Sequence, residues 1–394
     1  MDRKTTRLFF IDALRAWAII MMLQGHFIDG LLEPLYRQDG NVAFSLWKYF
    51  RGITAPVFFT VSGFIFTFLL VRAPEQGWKN LRVKKGIKRG LELVFIGYLL
   101  RSNIFGFLKG KVYDSFFLID VLHCIGLSLL VIIALYLLSN KLGKKVFPFL
   151  LLGLTLLLFL FEPIYKPLAF EGLPQWLANY FTKANGSVFT IIPWLGYTTI
   201  GGFMSILFHR FKDRSYLYTV SIPVFLLLGT ALMFGSSPLF VLLAEHTGIS
   251  LFMDISFNNY LFIRLGDVLL VFALFMMARN ILNQPTLLRI GQSTLSIYVV
   301  HFIILYGSFT GLGLYRFFHH EVHPAVVVPG AVLFIVACCF LALRYERHKD
   351  HIKLQLRLGL KILHIQTERF LIAALGLLRE VVLSTLKLFG MVKN

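Results

Sequence analysis

The chain has 394 residues, of which 57% are hydrophobic and 15% aromatic, and its formal net charge is +19. Its mean hydropathy is +0.74. This composition excludes a soluble globular domain, and it is too evenly apolar for a soluble domain with one membrane anchor. It predicts an all-α fold, a polytopic bundle of transmembrane helices.

Apolar runs of about 20 residues, the length that crosses a bilayer, alternate with short breaks that contain Pro, Gly or charge. They predict ten spans, at 8–32, 51–71, 91–108, 116–138, 146–162, 189–208, 216–234, 258–278, 290–312 and 324–343. The first run carries no small-residue cleavage site, so we expect it to be retained as a span. Residues 1–343 are predicted to form one transmembrane domain, followed by a cytoplasmic helical tail over 344–394.

The positive charge follows the predicted topology. With a cytoplasmic N-terminus, 28 Lys and Arg residues fall in inward segments and 8 in outward segments. This bias is the positive-inside pattern, so the charge is mainly topological and predicts no nucleic-acid partner. Both termini are then cytoplasmic, and the protein is expected in the cytoplasmic membrane. The three cysteines, Cys124, Cys338 and Cys339, lie within predicted spans and offer neither a disulfide framework nor a metal site.

On the first span, polar and large residues recur at steps of three and four and form one stripe, made of Asp12, Arg15, Ile19, Met22 and His26. Arg15 and His26 therefore share a helix face, roughly 16 Å apart along the axis. Ionisable side chains at bilayer depth are costly and are functional candidates by default. The alternative is a local ion pair between Asp12 and Arg15, with His26 as a satisfied core histidine.

The second span and the loop after it each allow two interpretations. Pro56 and the Ser62-Gly63 pair favour close helix packing, or they leave room for an extended cofactor arm. The loop over 72–90 contains seven Lys and Arg residues, among them Arg82, Lys84 and Lys85. It is either a topology signal that touches anionic lipid or a phosphate cradle for a coenzyme A nucleotide.

Further ionisable residues occur on the third and fourth spans. Arg101, at the outer end of the third span, either snorkels to the headgroups or meets an anionic or sugar substrate. Asp120 and His123 are three residues apart on the fourth span, where a carboxylate is able to hold an imidazole in one tautomer.

The later spans repeat this ambiguity. Arg264 and Asp267 share a helix face, a spacing more typical of a structural ion pair than of a site. His301 shares a face with Tyr298 and is either a functional group or an interhelical hydrogen-bonding residue. In the tail, a narrow polar stripe on an apolar helix indicates contact with the inner leaflet or packing against a second copy of the chain; it comprises Lys353, Arg357, Lys361, His364 and Glu368.

Five stretches carry a family resemblance: "RLFFIDALRAWAIIMMLQGHFI", "APVFFTVSGFIF", "DVLHCIGLSLLV", "IPWLGYTTIGG" and "IGQSTLSIYVVHF". In order and spacing they resemble the transmembrane acyltransferases related to lysosomal heparan-alpha-glucosaminide N-acetyltransferase. The Arg followed eleven residues later by His also resembles the wider acyltransferase type 3 family of membrane proteins. The lysosomal enzymes have Asn where His26 stands and a His in the next loop, which is absent from residues 32–50, so this chain follows the type 3 pattern there.

The resemblance implies a bundle of ten or eleven helices that takes acyl-CoA, with acetyl expected, from the cytoplasmic side. The acceptor would be a hydroxyl or amine of an extracytoplasmic glycan or a lipid-linked molecule. By the motif match, Arg15 lies near the donor and His26 is the catalytic histidine. We predict further catalytic roles for Asp120 and His123. Expected donor-binding residues are Asp12, Arg15, Arg82, Lys84, Lys85, Ser62 and Gly63, and expected acceptor-binding residues are Arg101, Trp194, Asp267 and His301.

Two other classes of function compete with this one. A proton- or solute-coupled transporter would use intramembrane Asp, Arg and His as a relay, but it predicts inverted repeats and paired broken helices that the sequence does not show. A noncatalytic membrane scaffold explains the tail but not the intramembrane histidines. Within the acyltransferase hypothesis, His26 acts either as a general base or as a transiently acylated nucleophile.

Overall fold

The structure is a computed structural model that describes residues 8–38 and 40–388. Over these residues the secondary structure is helical, apart from two isolated β-bridges. The α-helices are α1 Phe9–Leu31, α2 Val42–Val71, α3 Leu81–Arg101, α4 Ile104–Leu108, α5 Val121–Leu142, α6 Phe147–Leu160, α7 Glu162–Tyr165, α8 Gln175–Ala178, α9 Ile191–Phe211, α10 Leu217–Thr230, α11 Ser236–Thr247, α12 Ser250–Phe257, α13 Tyr260–Met277, α14 Pro285–Gln292, α15 Thr294–Tyr306, α16 Leu314–Phe318 and α17 Pro324–Leu388. The all-α prediction is confirmed.

Seven helical segments in the described part of the chain are long and apolar enough to cross a membrane: Phe9–Leu31, Val42–Val71, Asp114–Leu142, Ile191–Phe211, Leu217–Thr247, Tyr260–Asn280 and Pro324–Thr385. The pair α14 and α15, bent by 71°, makes an eighth if it crosses as one span. Two predicted spans differ from this pattern, since α3 carries a basic first half and α6 has 14 residues. The count of ten stays a prediction, while the membrane-bundle class is confirmed.

Close helix packing depends on glycines at particular crossings. A Cβ built on Gly63 of α2 would lie 1.9 Å from the carbonyl oxygen of Thr198 on α9, and one on Gly201 would lie 1.9 Å from that of Thr60. A Cβ on Gly291 of α14 would meet the carbonyl of Asp12 on α1 at 1.9 Å. Small residues of this kind let transmembrane backbones approach each other.

Short backbone links fasten the loop between α15 and α17, which contains the short helix α16, over the end of α1. The His320 N–H donates to the Gly30 carbonyl at 3.1 Å, and the Val322 N–H donates to the Leu31 carbonyl at 2.9 Å. The same loop is tied to the end of α3, because the Phe309 N–H donates to the Ser102 carbonyl at 3.0 Å. These links bring the ends of α1, α3 and α15 together.

The chain divides into two compact units, Met1–Leu341 and Ala342–Asn394. The first contains the buried apolar core and all the cavities discussed below. In the second, most described side chains are exposed, and Lys349 pairs with Glu346 at 2.6 Å. The predicted boundary at 343 and 344, and the predicted role of the tail, remain predictions.

Candidate active site

His26 lies where two cavities meet. The larger has a volume of about 670 Å³ and the smaller about 310 Å³. Five residues line both of them: His26, Asp29, Val188, Phe189 and Tyr306. An imidazole at such a junction is within reach of two different molecules, one in each cavity.

The two cavities differ in chemistry. The polar and aromatic side chains of the larger one include Arg37, Arg101, Asp120, Phe302, Tyr315 and His320. The smaller one extends toward the N-terminal half of α1 and is mainly apolar, with Met21, Met22, Ala55, Phe58 and Phe59 in its wall. Thr54, whose buried hydroxyl has no partner in the described part of the chain, also lines it.

The His26 ring has two aromatic neighbours from α15. Its Nδ1 shares a hydrogen bond of 3.0 Å with the Tyr306 hydroxyl. On its other side it stacks on His301, with ring centroids 5.4 Å apart and an interplanar angle of 28°. The preceding residue, Gly25, leaves room for the Arg51 side chain, since a Cβ there would lie 3.1 Å from Cγ of Arg51. The imidazole is therefore held between fixed groups, as a positioned base requires.

His301 is fully buried behind His26 and does not line either cavity. Its Nδ1 lies 2.5 Å from the Tyr298 carbonyl oxygen. Because a carbonyl only accepts, Nδ1 carries a proton. Nε2 has no partner among the described residues, so His301 is placed as a positioning residue for His26 rather than as a group that touches an acceptor.

Asp120 anchors a second polar network at the wall of the larger cavity. Its Oδ1 accepts from the Tyr298 hydroxyl at 2.7 Å and from the Val121 N–H at 2.6 Å. Its Oδ2 accepts from the Arg101 guanidinium at 3.2 Å. The predicted candidates Arg101 and Asp120 are thus brought together in one cavity, and Tyr298 contacts both Asp120, through its hydroxyl, and His301, through its carbonyl.

The expected contact between the Asp120 carboxylate and the His123 imidazole is corrected by the structure. Asp120 is the N-cap of α5, so its backbone N–H, not its carboxylate, contacts Nδ1 of His123 at 3.1 Å. His123 is fully buried against Tyr98, with ring centroids 4.4 Å apart, and does not line the cavity. A structural role as a capping residue explains its position.

Asp29 is held by two arginines, Arg37 and Arg51. Oδ1 accepts from Nη2 of Arg37 at 3.0 Å and also contacts Nη1 of Arg51. Arg37 donates further to the Asp29 carbonyl at 2.5 Å and to Nε2 of His320 at 2.6 Å. Burial, together with the charge of Arg37, lowers the pKa of His320 below its ordinary value.

Arg15 lies on α1 in the predicted register with His26. Its Nη2 donates to the Thr294 hydroxyl at 2.9 Å, and its Nη1 is 4.0 Å from the Asp12 carboxylate. The predicted local ion pair is therefore present. Of the loop cations, Arg82 and Lys85 line a cavity of about 510 Å³ together with Arg72, whereas Lys84 does not.

The remaining predicted residues lie outside the two cavities. Ser62 donates to the Phe58 carbonyl at 2.7 Å, and the space beside Gly63 is filled by α9, which favours the packing interpretation for both. Trp194 stacks on Phe59, a wall residue of the smaller cavity, with centroids 5.2 Å apart. Asp267 is buried in a separate cluster with Arg264 at 2.8 Å and Tyr49 at 2.7 Å, which favours the structural ion pair.

The sequence interpretation missed four residues of the site: Asp29, Arg37, Arg51 and Tyr306. Asp29 could have been predicted from the sequence, because it lies three residues after His26 and therefore on the same helix face. Arg37 lies in the short segment after α1, while Arg51 and Tyr306 come from α2 and α15, and no helical periodicity links these three to His26.

The described residues thus form an apolar helix bundle in which one imidazole lies between two cavities. Residues 8–344 match the family model of the acyltransferase type 3 family, which is described as an acyltransferase domain. The protein belongs to this family and is a membrane acyltransferase. A search of curated proteins gives no match. The motif resemblance to the lysosomal N-acetyltransferases remains a resemblance.

Proposed function

We propose that the protein transfers an acyl group, with acetyl expected, from acyl-CoA to an extracytoplasmic glycan or lipid-linked acceptor, and that His26 is the general base. The observation that carries the proposal is the position of His26 at the junction of the two cavities. A transfer between two molecules needs one proton-handling group within reach of both, and imidazole is the side chain suited to that role near neutral pH.

We assign one substrate to each cavity from the chemistry of its wall. The smaller, mainly apolar cavity lies on the predicted cytoplasmic side of His26 and suits the acyl thioester end of the donor. The larger cavity offers paired carboxylates and guanidiniums beside aromatic rings, which suit a polar acceptor. In this assignment the acceptor reaches His26 from the side opposite to the donor.

The donor's phosphates would bind at the predicted cytoplasmic end. Arg15 lies about 16 Å from His26 along α1, a span of the order of an extended pantetheine arm. Arg72, Arg82 and Lys85 surround a cavity at the loop between α2 and α3, and such cations bind phosphate oxygens strongly. We assign the phosphate end of coenzyme A to four cations: Arg15, Arg72, Arg82 and Lys85.

The proposed step moves one proton and exchanges one bond. With Nδ1 of His26 donating to Tyr306, Nε2 is free to take the proton of the acceptor's hydroxyl or amine. The acceptor atom then attacks the thioester carbonyl, the carbon–sulfur bond breaks, and the coenzyme A thiolate takes the proton back from the imidazolium. The Tyr306 O–H, whose oxygen serves as acceptor to His26, is available to the developing oxyanion.

The experiment is calorimetric binding of acetyl-CoA to the purified protein in detergent, followed by an assay of coenzyme A release. We expect Arg15→Ala to weaken binding about tenfold, because a charge-assisted phosphate contact is lost. His26→Ala should bind as the native protein does but release no coenzyme A. His246→Ala, at an exposed position on α11, is the matched control and should resemble the native protein in both assays.

Two outcomes would contradict the proposal. Absence of acetyl-CoA binding to the native protein removes the donor. Undiminished coenzyme A release by His26→Ala removes the base, and trapping of an acyl group on His26 would replace the general-base step with covalent catalysis.

A further inference from the structure

The Asp29 carboxylate lies one helical turn beyond His26 and lines both cavities. Its two guanidinium contacts, from Arg37 and Arg51, are both made by Oδ1. Among the described residues, Oδ2 has no hydrogen-bond partner, and the side chain is 40% exposed. One carboxylate oxygen is thus used to fix the group, and the other is left as an acceptor at the cavity wall.

This carboxylate is rigidly placed. Arg37 is itself tied to the Asp29 carbonyl and to Nε2 of His320, which is pinned over the end of α1 by its backbone. Arg51 passes beside Gly25, where a larger residue would displace it. Because Arg37 is anchored in this way, the Asp29 carboxylate that it binds is held toward the junction.

The charge at this point disfavours a cationic ligand. Two guanidiniums face one carboxylate, so the cluster carries a net positive charge. An ammonium would meet that charge, whereas a neutral hydroxyl needs only the free lone pairs of Oδ2. Aromatic rings complete the wall of the larger cavity, with Tyr306 and Tyr315 centroids 5.6 Å apart. They offer an apolar surface to the face of a saturated ring.

We propose that Asp29 is an acceptor-binding residue that receives a hydrogen bond from the hydroxyl adjacent to the one that is acylated. The acceptor is then a ring that carries two neighbouring hydroxyls, one at His26 and one at Asp29. Side chains three residues apart on a helix lie about 5–6 Å apart at Cβ, a spacing that two adjacent hydroxyls bridge. This inference rests on the proposed function. It adds the chemical class of the acceptor and the residue that binds it.

The test uses three small alcohols as acceptor probes with acetyl-CoA as donor: vicinal trans-cyclohexanediol, cyclohexanol, and the vicinal aminocyclohexanol. We measure coenzyme A release and the acetylated product by mass spectrometry. The native protein should acetylate the diol about tenfold faster than cyclohexanol at equal concentration, because only the diol makes the hydrogen bond to the charged Asp29. The amino alcohol should not exceed the diol.

Asp29→Asn should abolish this preference, so that the variant acetylates the diol no faster than it acetylates cyclohexanol; the ratio of the two rates within one variant is the readout. Arg37→Gln, which removes one anchor of the carboxylate, should weaken the preference in the same direction. Asp254→Asn, at an exposed aspartate on α12, is the matched control. Arg37→Gln also keeps the test decisive if Asp29→Asn fails to fold.

Three results would overturn the inference: equal rates for diol and cyclohexanol in the native protein, including no reaction with either; an Asp29→Asn variant that keeps the diol preference; or an equal loss for both alcohols. If acetyl-CoA does not bind to the native protein, the proposed function itself fails. If it binds and only the discrimination is absent, the proposed function stands and the Asp29 subsite is rejected.

Discussion

The imidazole of His301 stacks on that of His26, with centroids 5.4 Å apart and an interplanar angle of 28°. His301 is in turn fixed from behind, since its Nδ1 bonds to the carbonyl of Tyr298, whose hydroxyl donates to Asp120. A chain of contacts therefore runs from the carboxylate on the wall of the larger cavity to the proposed base. Such support from a second layer of residues restricts the orientations open to the His26 ring.

Replacing His301 with phenylalanine keeps a ring in the stack but removes the hydrogen bond to Tyr298. We expect acetyl-CoA binding to be unchanged and coenzyme A release to fall about tenfold, because a base that loses its alignment loses part of its contribution. A shift in the pH–rate profile should accompany the loss, which a merely structural effect would not produce. His246→Phe serves as control, and a native profile for His301→Phe would show that the stack has no bearing on His26.

Tyr306→Phe removes the hydroxyl that bonds to Nδ1 of His26 at 3.0 Å while keeping the ring. The expected loss in turnover is about a hundredfold, the size found when one donor to a developing oxyanion is removed. The KM for acetyl-CoA should change little, since the hydroxyl acts mainly in the transition state. Tyr315→Phe, which alters a more distant hydroxyl of the same cavity, is the comparison. Equal turnover for the two variants would remove Tyr306 from the reaction.

The shared face of Arg15 and His26 was predictable from the sequence, because helical periodicity is a local property and α1 is unbroken over both residues. The helical class was predictable for the same reason. The pairing of Asp120 with His123 was wrong in detail because the helix begins only at Val121, and spacing alone does not show where a helix starts.

The contacts around Asp29 could not be predicted from the sequence, for a different reason. Its partners come from the segment after α1, from α2 and from the segment between α16 and α17, and their meeting depends on how these elements pack. A sequence pattern indicates which residues share a face of one element. It does not indicate which faces of distant elements meet, so Arg37 and His320 were not predicted as neighbours.

The crossing of α2 and α9 makes a prediction about stability. Gly63→Ala would place Cβ 1.9 Å from a backbone oxygen, so the helices must separate. We expect a destabilisation of about 1–3 kcal/mol, typical of overpacking, seen as a lower melting temperature in detergent. Gly153→Ala on α6 is a matched control, because nothing lies within 4 Å of its added Cβ. If Gly63→Ala and Gly153→Ala have the same melting temperature, the two helices tolerate separation at this crossing.

We expect His320 to make the protein's stability depend on pH. Its pKa in the folded protein is lowered, first by burial and then by the Arg37 charge, so the unfolded chain binds its proton more readily. Stability contributed by the neutral form is therefore present above the unfolded pKa, about 6.5, and is lost as the pH falls from there through the folded pKa.

Protonation also places a second cation beside Arg37, whose contact with Nε2 is 2.6 Å. We expect the native melting temperature to fall more steeply than that of His320→Gln as the pH is lowered from about 7 to about 5, since glutamine does not titrate. Melting curves of both proteins across this range, with His246→Gln as a histidine control, measure the difference. Parallel curves for the native protein and His320→Gln would show that the proton on His320 does not disturb the Arg37 contact. A steeper fall in the native protein and in His246→Gln, but not in His320→Gln, assigns the pH dependence to this one imidazole.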